Sequence, residues 1–144
     1  MALPNSVLFV CQMNMVRSPI AEGLMRSLYP NVARIESCGL DQGEKEQMVE
    51  TIMTEAGIDV SDHEPTTLEN YKPENFEVVI AFTPQAYQAA QSYFDGTKTE
   101  ILNWPLPDPG AGSLDVRAMM DNYRAMRDLI KNRILRHFGP SETK

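Results

Sequence analysis

Cysteine is scarce in this chain of 144 residues, which contains only Cys11 and Cys38. Two thiols are too few for the disulfide framework on which many small secreted proteins depend. No apolar run approaches the ~18 to 20 residues that cross a membrane, and residues 1–6 lack the basic and apolar segments of a signal peptide. We therefore expect a cytoplasmic protein with free thiols and no membrane association.

Basic residues are also a minority, because 13 Lys and Arg are set against 20 Asp and Glu, for a net charge of −7. A surface of that charge repels nucleic acid, so no nucleic-acid partner is expected. Any anionic ligand must then be held by local groups. The sequence also lacks a cluster of His, Cys and Asp with the spacing of metal ligands, so we expect neither a metal nor another cofactor.

The sequence does contain a regular alternation of two hydrophobic patterns. Short apolar runs predict strands at residues 7–10, 32–37, 76–82 and 99–102, and three- and four-residue spacing predicts helices at 18–28, 44–56, 84–94 and 114–138. Strands that alternate with helices form parallel sheets with right-handed crossovers. We expect one α/β domain over residues 1–144, a doubly wound, four-stranded parallel sheet with helices on both faces.

The segment that joins the first strand to the first helix contains residues suited to catalysis and to anion binding. Residues 7–20 read VLFVCQMNMVRSPI, in which Cys11 and Arg17 are separated by five residues and Ser18 can cap the helix. A turn of this length can direct its backbone N–H groups at one anion, aided by the positive end of the helix dipole. The N–H groups in question belong to Gln12, Met13, Asn14, Met15, Val16, Arg17 and Ser18.

The same positive field favours a thiolate, which makes Cys11 a candidate nucleophile. The planar guanidinium of Arg17 matches two oxygens of a phosphate group. Nucleophile and phosphate clamp lie in one loop, so the pattern indicates phosphoryl transfer to sulfur. The alternative is that Cys11 is a buried structural cysteine and Arg17 an ordinary surface charge.

Residues 7–26, VLFVCQMNMVRSPIAEGLMR, resemble the active-site segment of the low-molecular-weight protein tyrosine phosphatases. That family has a hydrophobic strand followed by Cys-x-Gly-Asn-x-x-Arg-Ser-Pro-x-Ala-Glu. The resemblance continues over nearly the whole chain, with further matches at Ser37-Cys38-Gly39, at Gly57-Ile58 before His63, and at Asp108-Pro109. It implies a cysteine-dependent phosphomonoester hydrolase, specifically a protein tyrosine phosphatase, that forms a cysteinyl-phosphate intermediate.

The resemblance also implies roles for individual residues. Cys11 attacks phosphorus, Arg17 and the loop amides bind the phosphate, Ser18 stabilises the thiolate, and Asp108 protonates the leaving oxygen. A hydrogen-bond network that supports the loop is implied for Asn14, Ser18, Ser37 and His63.

Several of these residues have a second interpretation. Asp108 in Pro-Asp-Pro-Gly can simply form a turn, although a mobile loop near the cradle also suits a general acid. His63 fits a plain loop residue as well as a supporting one. Cys38 is expected to pack as a small apolar residue, and a regulatory disulfide with Cys11 is the alternative.

Three departures from the family pattern concern the substrate pocket. Met13 occupies the glycine position of the loop, and Val16 replaces the second loop cysteine of many members. The segment after Asp108 lacks the paired tyrosines of eukaryotic-type members. Phosphatase chemistry is therefore better supported than specificity for phosphotyrosine.

The expected substrates are a phosphorylated protein or a small aryl phosphate, with phosphate, sulfate and vanadate as inhibitors. Arsenate reductases also resemble this family. Those coupled to thioredoxin use two further cysteines in a later segment, and this chain has none after Cys38. Arsenate reduction with a glutathione- or mycothiol-type donor remains an alternative. A third hypothesis is a phosphate-loop binding module whose turnover is impaired by Met13.

Overall fold

The computed structural model describes residues 3–110, 112 and 115–142. The strands are β1 (Ser6–Cys11), β2 (Arg34–Gly39), β3 (Val78–Ala81) and β4 (Glu100–Asn103). The helices are α1 (Arg17–Leu28), α2 (Gln47–Glu55), α3 (Pro84–Tyr93) and α4 (Val116–Phe138). None of these helices is long and apolar enough to cross a membrane.

The four strands form one sheet in the order β2-β1-β3-β4, and every pair is parallel. All residues of the two central strands, β1 and β3, are buried. Central strands of a parallel sheet are covered on both faces, which explains why these segments are continuously apolar in the sequence. The prediction of a doubly wound, four-stranded parallel sheet is confirmed.

Each face of the sheet has its own apolar core. Val7 and Phe9 of β1 pack with residues of α1, α2 and α4. Leu8 and Val10, which alternate with them, pack with residues of α3 on the opposite face. This alternation follows from the two-residue period of a strand, and it places the loop after β1 at the carboxyl edge of the sheet, between the two layers.

The predicted boundaries differ from the observed ones mainly around β2 and α2. Helix α2 begins at Gln47 instead of residue 44, because the preceding segment hydrogen bonds elsewhere: the Gly43 N–H donates to the Met13 carbonyl at 2.9 Å. The predicted start of the last helix, residue 114, lies outside the described residues. Two short 3-10 turns before β3, Leu68–Asn70 and Pro73–Asn75, were not predicted.

Candidate active site

Residues 11–18 form the phosphate loop, which connects the end of β1 to the start of α1. Helix α1 begins at Arg17, and its N-cap is Val16, with no side-chain hydrogen bond. The expectation that Ser18 caps the helix is therefore wrong. Its Oγ instead lies 2.8 Å from the Cys11 Sγ, and both side chains are buried. A hydroxyl at this distance can donate a hydrogen bond to a thiolate, which favours the ionised form of the sulfur.

The conformation of the loop depends on Asn14, which is fully buried and has a φ of 57°. Asparagine tolerates this left-handed conformation better than most residues other than glycine. Its side-chain amide donates to Ser18 Oγ at 2.9 Å and to Ser37 Oγ at 3.0 Å. Its Oδ1 accepts the backbone N–H of Thr66 at 2.9 Å. One side chain thus connects the loop to β2 and to the segment after α2.

A second layer of hydrogen bonds supports Asn14. Ser37 Oγ donates to the Glu22 carboxylate at 2.6 Å, and the His63 Nε2 lies 3.1 Å from the Asn14 carbonyl oxygen. The His63 Nδ1 is 4.0 Å from the same carboxylate. Burial raises the pKa of Glu22, and the hydrogen bond from Ser37 and the charge of Arg26 offset part of this effect.

The segment 39–43 holds the loop from the side. The N–H groups of Leu40 and Asp41 both donate to the Gln12 carbonyl at 2.9 Å. Gly39 permits this close approach, because a Cβ there would lie 2.7 Å from the Asn14 nitrogen. By contrast, the N–H groups of residues 12–16 donate to no acceptor in the described part of the chain. A loop in which most carbonyls accept hydrogen bonds, and in which the N–H groups of residues 12–16 are free, is suited to bind an anion.

A cavity of about 220 Å³ opens onto this loop. Cys11, Arg17 and Asp108 all line it, although they are distant in the sequence. Arg17 also donates from Nη1 to the carbonyl of Leu106 at 3.0 Å, which links the phosphate loop to the segment that carries Asp108. Asp108 Oδ1 accepts the N–H of Gly110 at 2.9 Å, so this residue forms a turn and faces the cavity as well. The other lining residues are Met13, Met15, Val16, Gly110 and Tyr123.

A second and larger cavity, of about 330 Å³, lies behind the network of Ser37 and Glu22. Its lining includes Arg26, Glu36 and Tyr71 but neither Cys11 nor Arg17. The candidate nucleophile and the phosphate clamp therefore belong to the smaller cavity. Within residues 3–110, 112 and 115–142, no group of three or more His, Cys, Asp or Glu side chains could hold a metal ion.

The family model described as low molecular weight phosphotyrosine protein phosphatase matches residues 6–139. The chain belongs to this family. A glutaredoxin arsenate reductase from Synechocystis sp. is 30% identical over 130 residues, which cover 90% of this chain and 93% of the relative. The family thus places the chain among cysteine-dependent phosphatases and related enzymes.

Solved structures show the same architecture. An arsenate reductase in a phosphate-binding state superposes with a TM-score of 0.72 at 26% identity, covering 92% of this chain and 95% of that one. The tyrosine phosphatase AmsI from Erwinia amylovora superposes with a TM-score of 0.75 at 20% identity, covering 91% and 89%. At that lower identity the likeness shows the fold alone.

The two cysteines of this family member lie on opposite faces of the sheet. Cys11 belongs to the core beside α1, whereas Cys38 packs with Leu8 and Val10 beside α3. Both are free thiols. Burial raises the pKa of Cys38 far above its ordinary value, and the nearby Cys11 adds to the shift. The structure therefore favours the interpretation of Cys38 as a packing residue over a disulfide with Cys11.

Four residues of the site were not predicted as site residues, and one of them, Gly110, adds only a small surface to the cavity lining. Glu22 matches the glutamate of the family pattern, which was the available signal. Thr66 contributes only a backbone N–H, which no sequence pattern marks. Tyr123 lies on the apolar stripe of α4 and resembles any core residue in the sequence. Met13, whose placement the sequence left open, is 38% exposed and lines the cavity.

Proposed function

We propose that this protein is a phosphomonoester hydrolase that acts on phosphotyrosine or similar aryl phosphates through a cysteinyl-phosphate intermediate. The observation that carries the proposal is the cavity in which Cys11, Arg17 and Asp108 meet above a loop with free N–H groups. These groups supply the nucleophile, the phosphate clamp and the proton donor that such a reaction requires.

In the first step the Cys11 thiolate attacks phosphorus, while the loop N–H groups and Arg17 bind the three outer phosphate oxygens. The bond between phosphorus and the ester oxygen breaks, and its electron pair stays on that oxygen. The carboxylic acid of Asp108 donates its proton to the leaving oxygen, so the alcohol departs neutral.

In the second step a water molecule attacks the phosphorus of the cysteinyl phosphate. The Asp108 carboxylate takes a proton from that water, the S–P bond breaks, and the thiolate of Cys11 is restored. The products of the two steps are an alcohol and inorganic phosphate. Ser18, at 2.8 Å from the sulfur, stabilises the thiolate as attacking and as leaving group.

The walls of the cavity favour an aromatic leaving group. Met13, Met15 and Val16 supply apolar surface beside Cys11. Thioether sulfur makes favourable contacts with aromatic rings, so the two methionines can take the place of the missing paired tyrosines. Phosphate, sulfate and vanadate should compete with the substrate, because they occupy the loop without a leaving group.

Arsenate reduction is a second candidate, favoured by the relative that is named a glutaredoxin arsenate reductase. Arsenate is a tetrahedral oxyanion like phosphate, so the loop can hold it. The two electrons that reduce As(V) to As(III) would have to come from thiols. Cys38 lies on the other face of the sheet, and no cysteine follows it, so an added thiol such as glutathione would be required.

A turnover assay distinguishes the candidates. The wild type, Cys11→Ala and the matched control Cys38→Ala should be given p-nitrophenyl phosphate, a phosphotyrosine peptide, and arsenate with glutathione and glutaredoxin. We expect the wild type and Cys38→Ala to hydrolyse both phosphate esters, with and without a chelator, and Cys11→Ala to be inactive. Arsenate reduction without ester hydrolysis would support the second candidate. Phosphate binding without any turnover would support a binding module.

A further inference from the structure

Tyr123 of α4 lines the active-site cavity but has no role in the mechanism proposed above. It is the only aromatic residue among the described residues that line the cavity, and Met13 and Met15 of the phosphate loop line it as well. Only 5% of its surface is exposed, because the ring packs into the core beside α1. The ring is therefore fixed, and the hydroxyl is presented from a rigid helix.

The Tyr123 hydroxyl lies beside the segment that carries the candidate general acid. A Cβ placed on Gly110 would be 3.3 Å from this hydroxyl and 3.6 Å from Asp108 Oδ1. The phenol and the carboxyl group thus flank the same small residue. Because the phosphate oxygens are bound by the loop N–H groups and Arg17, the side of the cavity beside Asp108 is where a leaving group must lie.

The hydroxyl has no hydrogen-bond partner within the part of the chain that the structure describes. No buried side-chain N or O atom among the described residues lacks a hydrogen-bond partner, so the Tyr123 hydroxyl is accessible from the cavity and available to whatever fills it. Burial raises the pKa of Tyr123, and the negative charges of Glu46 and Asp108 raise it further. The phenol therefore stays neutral at physiological pH and can donate its proton in a hydrogen bond.

We propose that Tyr123 is a specificity-determining residue, whose hydroxyl donates a hydrogen bond to the leaving group of a phosphomonoester held on the phosphate loop. This inference rests on the proposed function. A site that hydrogen bonds to one part of a substrate discriminates against ligands that lack that part. The acceptor is the bridging ester oxygen, so Tyr123 favours phosphate esters over phosphonates, which carry a carbon atom at that position.

The test compares Tyr123→Phe with the wild type, and Tyr87→Phe on α3 is the matched control. The first variant removes only the unpartnered hydroxyl and keeps the packed ring, so both variants should unfold at the wild-type temperature. For Tyr123→Phe we expect kcat/KM for a phosphotyrosine peptide to fall roughly 3- to 12-fold, the usual effect of one neutral hydrogen bond. The inhibition constant of benzylphosphonate, in which carbon replaces the bridging oxygen, should not change, and Tyr87→Phe should match the wild type throughout.

Two results would overturn the inference while leaving the proposed function intact. One is unchanged kcat/KM for every ester in an active Tyr123→Phe variant. The other is an equal loss of affinity for benzylphosphonate, which would place the hydroxyl on the outer phosphoryl oxygens instead of the bridging oxygen. A wild type that hydrolyses no phosphate ester would overturn the proposed function, and this inference with it.

Discussion

The support behind the phosphate loop and the mouth of the active-site cavity are built in opposite ways. This support, which we call the back wall although it does not line the cavity, consists of Asn14, Ser18 and Ser37, which are 0%, 0% and 2% exposed and are joined by hydrogen bonds of 2.9 and 3.0 Å. The mouth consists of Met13, Asp108 and Tyr123. Asp108 and Met13 are exposed there, and Tyr123 has no hydrogen-bond partner in the described residues.

This difference separates two tasks of the site. A network that fixes the loop N–H groups before a ligand arrives gives a preorganised anion site, which requires little rearrangement during reaction. In the proposed mechanism the side chains of the mouth contact only the leaving group, so they can vary with little loss of phosphate binding. The departures of this chain from the family pattern at Met13 and after Asp108 both fall in the mouth. Changes in the mouth should therefore alter catalysis selectively, and changes in the wall should alter stability and binding together.

The largest expected effect in the mouth comes from Asp108→Asn. Without its proton donor, hydrolysis of an aryl phosphate with a leaving group of high pKa should slow roughly 100- to 10,000-fold, the range for general acid catalysis. A dinitrophenyl phosphate, whose leaving group needs little protonation, should lose much less. The measurement is kcat/KM across aryl phosphates of graded leaving-group pKa. Equal losses across that series would mean that Asp108 is only a turn residue.

Arg17→Lys should affect both phosphate binding and the mouth, because Arg17 binds phosphate in the proposed mechanism and also donates to the carbonyl of Leu106 near Asp108. Lysine keeps the charge but lacks the planar fork, so we expect a loss of about 2 to 4 kcal/mol of transition-state stabilisation, like that from deletion of an oxyanion donor. Phosphate affinity should fall as well. Kinetics and phosphate inhibition measured together check this, and wild-type values for both would place Arg17 outside the site.

Asn14→Ala should act on the wall. Removal of the amide costs Ser18 and Ser37 one hydrogen bond each and leaves the Thr66 N–H without its side-chain acceptor. Alanine also adapts poorly to the left-handed backbone, so stability should fall by about 2 to 3 kcal/mol. Denaturant unfolding measures this loss. Asn14→Gly is the control, because it relieves the backbone and still loses the hydrogen bonds. If Asn14→Gly were as stable as the wild type, the hydrogen bonds would not hold the loop.

The smallest expected effect concerns the pH dependence of stability through Glu22. Its pKa is raised in the folded protein, mainly by burial, so the folded state binds the proton more tightly than the unfolded chain. The resulting stabilisation is complete below the unfolded pKa of about 4.3, and it disappears as pH rises through the raised value. Relative to Glu22→Gln, the wild type should therefore lose stability as the pH rises from 4 upward.

Urea unfolding of the wild type and Glu22→Gln over that pH range measures the difference, and Glu74→Gln on the surface is the matched control. A stability difference that is independent of pH, or that grows in favour of the wild type as pH rises, would contradict the assignment.

Much of the fold could be predicted because periodicity is a local signal. Strand β1 is a continuous run of buried residues, and helix α4 has a buried stripe at three- to four-residue spacing. Each pattern can be recognised within its own segment of the sequence. The start of α2 could not be predicted, because residues 40–43 hydrogen bond to a loop that is distant in sequence. The order of the strands is likewise set by tertiary packing, which no single segment encodes.

The residues of the site likewise differ in whether the sequence alone could identify them. Cys11 and Arg17 share one loop, so their spacing alone indicates an oxyanion site. Asp108 comes from another segment, and only the resemblance to a family suggested its role. Tyr123 was missed because a residue that packs its ring in the core and presents its hydroxyl to a cavity has the sequence pattern of a core residue.

The most direct test of the account is to trap the phosphoenzyme. The wild type would be mixed rapidly with an aryl phosphate, quenched within the first turnover, and digested for mass spectrometry of the peptide that contains residue 11. We predict a phosphoryl group on Cys11, formed in a burst together with the released phenol, and no such group on Cys38. Sustained hydrolysis with no phosphorylated Cys11, or hydrolysis by Cys11→Ala at a rate near that of the wild type, would contradict the covalent mechanism.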